Sequence, residues 1–230
     1  EGDNPLQGFN EDLPFVIINN YPPKGSGNIY SFDYSYTDYH LGVYYGFNYY
    51  NNVSWLNNEL AANGSNTFSN KFEKISFTFD QISLNEMGYH YGFSYVPKIS
   101  NGDRFTMKGY SLTYGVNYPF GNNIFMAALG LNCSYGRMTL IEENNGAVPN
   151  LIQDNGSNVT VYKNDIFSFD PNVDVRIKLP LISLNARVGY ALDVSNAYWK
   201  LNGKMKNFPK TSFNAPYVQL GVSLHIKTEG

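Results

Sequence analysis

The chain has one cysteine, Cys133, in 230 residues. That excludes an intramolecular disulfide and any cysteine-rich metal site. Charged residues are only 15% of the chain, well below the roughly 25% of an average soluble domain. The formal net charge of -3 leaves no electrostatic footprint for nucleic acid. No apolar run reaches the roughly 18 residues that a transmembrane helix needs. Capped, periodic helical stretches are missing too, and residues 55–62 are the one candidate. Disorder and coiled coils are excluded by composition, since both require few aromatics and abundant charge.

Aromatics are what the chain has in excess: 20 Tyr and 16 Phe, with Trp bringing the share to 17%. They fall in strict alternation. Tyr110, Leu112, Tyr114, Val116 and Tyr118 are separated by Ser111, Thr113, Gly115 and Asn117. Successive strand side chains point to opposite faces, so such a segment has one apolar and one polar face. The same pattern predicts strands over 39–50, 72–83, 85–96, 110–118, 123–137, 165–178, 181–192 and 214–226. Residues 28–36 read as a ninth strand. Residues 13–20 read as a tenth, weakened by Pro14. Tight connections are predicted at Thr37-Asp38, Ile82-Ser83-Leu84, Pro119–Asn122 and Leu179-Pro180. Long ones are predicted at 51–71, 97–104, 138–164 and 193–213. All five Asn-Gly pairs fall in the long set, which suits turns because both residues tolerate positive φ. The pattern is an up-and-down antiparallel meander with two unlike ends, read as one domain over 1–230, with 1–12 as an N-terminal extension. Eight strands are secure and ten are preferred, because an even count keeps both termini on one side.

The polar face carries glycines (Gly42, Gly46, Gly92, Gly115, Gly130, Gly221) and small hydroxyls and amides (Ser76, Thr78, Ser134, Asn132, Asn185, Gln219). A soluble β-sandwich or lipocalin-like barrel would turn the apolar face inward. It would then have to close around too many bulky aromatics, and its surface would be nearly bare of Lys and Glu. With the polar face inward, rows of glycine suit a crowded lumen. Apolar rows of about ten residues match a tilted membrane-spanning strand, and tyrosines at strand ends form interface girdles.

On dyad alternation, tyrosine-rich rims, and short turns opposite long loops, residues 28–226 resemble the small outer-membrane β-barrels of Gram-negative bacteria, OmpA-like and OmpX-like in the broad sense. The resemblance implies an all-β transmembrane barrel in the bacterial outer membrane, with any signal peptide already removed. The opening Glu1-Gly2-Asp3-Asn4 suits such processing. It also implies contact with outer-membrane lipid and lipopolysaccharide. It carries over no functional residue, because it rests on architecture and matches no residue-level motif.

Candidate sites follow from the residues themselves. The inward charges Asp80, Glu86, His90, Asp174, Arg176 and Arg187 read as a structural network, since buried charges must be paired. If Leu179-Pro180 is a tight turn, Asp174 and Arg187 are diagonal neighbours. The segment 193–213 interleaves Trp199, Lys200, Lys204, Lys206 and Lys210 with Met and Phe. With Trp55 in the first long loop, it is the candidate surface for an anionic ligand, an extracellular ligand or an envelope protein partner. No catalytic residue, metal site or cofactor is expected, and the expected role is non-enzymatic. That role is binding through the surface loops or structural support of the envelope; a narrow pore or transporter for small solutes is the alternative, and an outer-membrane hydrolase the third reading. The hydrolase would need a carboxylate within hydrogen-bond reach of His90, and the predicted turn at 82–84 puts Ser76 or Thr78 there instead.

Overall fold

The computed structural model describes residues 37–50, 53–62, 64–102, 104–122, 124–143, 159–195, 198–201, 204–205 and 212–227. The strands are β1 (Thr37–Tyr49), β2 (Lys71–Ser83), β3 (Gly88–Ser100), β4 (Phe105–Gly121), β5 (Phe125–Glu143), β6 (Val159–Lys178), β7 (Ile182–Asp193), β8 (Lys200–Leu201), β9 (Lys204–Met205) and β10 (Ala215–Lys227), with one helix, α1 (Ser54–Ala62). Each long strand pairs antiparallel with its neighbour, and β1 pairs with both β2 and β10. The wall is therefore a closed barrel of eight strands, β1 to β7 and β10, while β8 and β9 form a small hairpin on the edge of β6.

Closure corrects the preference for ten strands. Both edges of β1 are occupied, so the wall has no seam into which another pair could enter. Residues 1–12, 13–20 and 28–36 lie outside the described residues. Thr37 and Asp38 begin β1 and do not form a turn. The β2–β3 turn is centred on Asn85, at φ 61°, not at 82–84. Strand continues through 97–100, 138–143 and 159–164, so the predicted loops 97–104 and 138–164 begin later or end earlier than expected.

The alternation sorts side chains as lipid requires. Leu41, Val43, Phe77, Tyr91, Phe93, Leu112, Tyr114, Leu129, Leu131, Val188, Leu220 and Val222 all point outward and are exposed, whereas Asn132, Asn185, Gln219 and Ser223 are buried inside. Tyr44 fills the lumen with its ring on glycine: a Cβ at Gly221 would lie 2.6 Å from the Tyr44 ring. β4, β5 and β6 run 17, 19 and 20 residues, beyond the roughly 9–11 that cross a bilayer. Their surplus lies at the end opposite the short turns, where it meets α1 and the segment around Phe213.

That end is closed by an apolar core of Tyr50, Leu56, Leu60, Phe72, Phe105, Leu140, Tyr162, Trp199 and Phe213. A nine-residue helix is marginal alone. α1 is held by burying Leu56 and Leu60, one turn apart on one face. Asn57 adds a two-way clasp, its Nδ2 donating to the Phe68 carbonyl and its Oδ1 accepting from the Phe68 N–H, both at 2.9 Å. Gly64, at φ 71°, closes the helix in the left-handed conformation that favours glycine.

Nitroxides at Leu129 and Leu220, which are 57% and 65% exposed, should be accessible to oxygen and shielded from a water-soluble nickel reagent. Labels at Asn132 and Gln219 should lack that signature. The reverse pattern would mean that the apolar face is not the lipid face.

Candidate functional site

β2, β3, β6 and β7 bring five charged or titratable groups together across the middle of the lumen. Arg187 donates from Nη2 to Asp174 Oδ2 at 2.7 Å and from Nε at 3.1 Å. Arg176 Nη2 donates to Asp80 Oδ2 at 2.8 Å and to Asp174 Oδ2 at 3.1 Å. Tyr44 donates to Asp174 at 3.1 Å, and its ring lies 4.6 Å from the Arg187 guanidinium. His90 Nδ1 lies 2.5 Å from Asp80 Oδ1, while its Nε2 faces Arg187 Nη1 at 3.4 Å. Nδ1 is thus the donor to a carboxylate and Nε2 the acceptor from a guanidinium, which makes the imidazole neutral. Two carboxylates against two guanidiniums then leave the cluster without net charge, the condition for burying it.

Glu86 is a correction. It is exposed in the β2–β3 turn and outside this cluster. The Asp80–His90 pair went unseen for the same reason. A turn centred on residue 83 sets Ser76 opposite residue 90, whereas the real centre at Asn85 sets Asp80 there. The signal available was Leu84-Asn85-Glu86-Met87, in which Asn tolerates the left-handed conformation the turn requires.

The cluster meets the carboxylate condition for a hydrolase but not the rest of it. A general base must reach a substrate proton, and the free nitrogen of His90 is turned to Arg187. The space among His90, Asn117, Asn132, Asp174 and Arg187 is about 10 Å³, room for one water at most. Below it, toward the short turns, the His40 and His225 rings meet at a tilt, with centres 4.6 Å apart. Ser183 bonds His225, and Lys178 pairs with Asp38. No group of three or more His, Cys, Asp or Glu among the described residues is placed to hold a metal.

The loop-end candidates divide. Trp199 is a correction: it is 1% exposed and packs edge-on against Phe213, part of the core and not of the surface. Lys200 donates to Asp165 Oδ2 at 3.0 Å, and Arg137 donates to Oδ1 of the same carboxylate at 2.6 Å. Lys204 lies on β9, and Trp55 lies on α1. Lys206 and Lys210 lie outside the described residues. Lys108 and Lys163, which strand parity alone did not single out, are exposed on the outer faces of β4 and β6, both cross-strand from Thr139 of β5. Lys200 lies level with them, cross-strand from Lys163, and Arg137 lies two residues lower on β5, opposite Tyr110. Glu142 is fully buried and bound by Arg104 at 3.2 Å and by the Tyr162 hydroxyl at 2.9 Å.

Two outcomes are expected. Replacing Arg187 with Met leaves Asp80 and Asp174 to share the one guanidinium of Arg176 and should cost about 3–5 kcal/mol of stability. The Arg187→Met/Asp174→Leu double variant should lose less, as read by thermal unfolding in detergent. At Asp165, burial opposes ionisation, but the bonds from Arg137 and Lys200 outweigh it and hold the carboxyl below its ordinary range. A lowered folded value means that this tether is present above the unfolded carboxylate range and is lost as pH falls through the folded one. Amide exchange at Lys200 and Leu201 should therefore rise on acidification, and Asp165→Asn should abolish that dependence.

No family model matches the sequence, and no curated protein matches it. Among solved structures, the chain is similar to Neisserial surface protein A (NspA), with 13% identity and a TM-score of 0.50, over 81% of this chain and 96% of that one. Ail, the attachment invasion locus protein of Yersinia pestis, aligns with 11% identity and a TM-score of 0.49, over 83% of this chain and 99% of that one. In fold, the chain is a small closed antiparallel β-barrel of eight strands, similar to that of NspA.

Proposed function

We propose that this protein is a non-conducting, non-enzymatic barrel of the bacterial outer membrane, whose long-strand end binds a partner at the cell surface. The observation that carries this reading is a lumen filled twice over: by the Asp80–His90–Asp174–Arg176–Arg187 cluster in its middle, and by the apolar core of Tyr50, Phe72, Trp199 and Phe213 at the loop end. A pore needs a continuous polar path, and the apolar core interrupts one. A hydrolase needs a substrate space beside its base, and His90 has none. What is built with surplus material is the loop end, where three strands overrun the bilayer and a helix is packed in. Loops on a rigid scaffold are where binding residues concentrate.

The outer group Lys108, Arg137, Lys163 and Lys200 favours anionic head groups of lipopolysaccharide at the rim. Asp165 neutralises part of it, and Lys108 and Lys163 supply the excess. The extracellular ligand or envelope protein partner is bound by the cap above.

Two measurements test the proposal. In a planar bilayer the protein should give no resolved single-channel steps, and stepwise conductance would move the pore reading to the front. The Lys108→Gln/Lys163→Gln/Lys200→Gln variant should fold normally but retain less lipopolysaccharide. The difference from the parent should shrink as salt rises, because exposed charges are screened. Equal retention at low salt would remove the rim from the proposal.

A further inference from the structure

The wall has a fork. β2 and β3 pair from Gln81↔Tyr89 up to Ile75↔Tyr95 and no further, although both strands continue. The cause lies in β3: Pro97 has no N–H to donate, and the ladder to β4 slips by a bulge between Val96 and Ile99. The first residues beyond the last pair are Lys74 on β2 and Val96 on β3. Both line a chamber of about 60 Å³ inside the barrel, with Asn48, Ser111, Ser168 and Asp170 among its other walls. It sits between the charge cluster and the apolar core, and has room for a few waters or one small polar head group.

Two groups there are unused. Lys74 makes no hydrogen bond or ion pair with any described residue. Its ammonium lies 5.4 Å from the ring of buried Tyr217 and is attracted across the chamber by the Asp170 carboxylate. Asp170, the anionic group of the lining, already accepts a hydrogen bond from Tyr217 at 2.8 Å. Asn48, 5% exposed, donates from Nδ2 to the Tyr50 hydroxyl at 2.9 Å and leaves its other amide end without a partner. Because a hydroxyl can accept or donate, that free end can be presented as oxygen or as NH₂. A buried amide end without a partner and a wall ammonium without a hydrogen-bond acceptor call for a ligand or ordered water.

On the outside of the same strands lies the second element. Directly below the fork, Phe77, Phe79, Tyr91, Phe93 and Leu112 border an apolar surface trough of about 480 Å³ whose floor includes Thr78, Gly92 and Thr113.

We infer that the β2–β3 fork is a lateral binding site for a long-chain fatty acid, with the carboxylate in the chamber on Lys74 and the acyl chain in the aromatic trough outside. Chamber size selects the head group: it suits a carboxylate and excludes a phosphorylated sugar or a glycerophosphate carrying two chains. The free amide of Asn48 supplies a second hydrogen bond, and Ser111 and Ser168 supply hydroxyls. The apolar roof, which includes Val96 and Met138, excludes a larger polar head. This inference needs only the barrel wall and is independent of what the cap binds.

The test is binding of oleate labelled with ¹³C at the carboxyl, to the full chain in phosphatidylcholine nanodiscs, followed by NMR and by displacement of a fluorescent fatty acid. Wild type should bind one oleate saturably, with a carboxyl shift distinct from that of oleate in empty nanodiscs. Lys74→Gln should weaken binding about tenfold or more, the worth of a hydrogen bond to a charged group. Lys71→Gln, an exposed lysine outside the chamber, should leave binding unchanged. Oleyl alcohol should bind both wild type and Lys74→Gln weakly and equally. Phe77→Ala/Phe93→Ala should weaken oleate more than octanoate. Far-UV circular dichroism on each variant verifies the barrel. No saturable binding, or equal oleate affinity in folded Lys74→Gln, overturns the assignment. Displacement of oleate by lipid A or phosphatidic acid at matched concentration overturns the carboxylate specificity and makes the fork a lipid-phosphate site.

Discussion

Everything in this molecule depends on the requirement that no backbone N–H or C=O be left unpaired against hydrocarbon. Each such group would cost several kcal/mol, and a sheet meets the requirement only by closing on itself. The pairing of β1 with β10, running from Asp38↔Lys227 to Asn48↔Tyr217, is that closure. Once it forms, the alternation of every strand is committed: one row to lipid, the other to a lumen eight strands around. That lumen is narrow enough to be filled by side chains.

Filling it sets the chemistry. Charges enter only as a neutral set. His90 ties the set together by donating to Asp80 and facing Arg187, so a histidine beside a carboxylate serves packing here and not catalysis. Glycine provides the space: Tyr44 can lie across the lumen and reach Asp174 because Gly221 has no side chain. The loop end follows another logic. Above the bilayer, water is available again, the strands need not stay in one ring, and they separate. β4 to β6 continue as a tall sheet extended by β8 and β9, and β2 leaves β3 at Ile75. The same loss of pairing that would be intolerable in mid-membrane becomes, at the rim, a place where a ligand can enter.

Alternation made the wall legible. Leu112 and Leu220 could be assigned to lipid and Asn132 and Gln219 to the lumen from parity alone, because a strand has period two whatever surrounds it. The candidate sites were less legible. Whether Asp80 meets His90 or Glu86 depends on the centre of one turn, and a shift from Ser83 to Asn85 re-pairs the whole hairpin. Trp199 and four lysines in one segment read as a polar binding loop. The tryptophan is instead drawn into the core by Phe213, and Lys200 is held by Asp165. A polar loop and a loop that folds over an apolar core can share a composition, because a few buried side chains decide which it is.

The sequence by itself determined the strand face rule, the short and long ends, and the membrane-facing surface. All of these follow from local periodicity and from turn residues. Only the tertiary structure decided that eight strands close the ring and that Lys74 is left without a hydrogen-bond acceptor at the fork. Those outcomes rest on register and closure, contacts between residues as far apart as Asp38 and Lys227. No local pattern encodes a partner at that separation, and the free energy of pairing is realised only when the whole ring is complete.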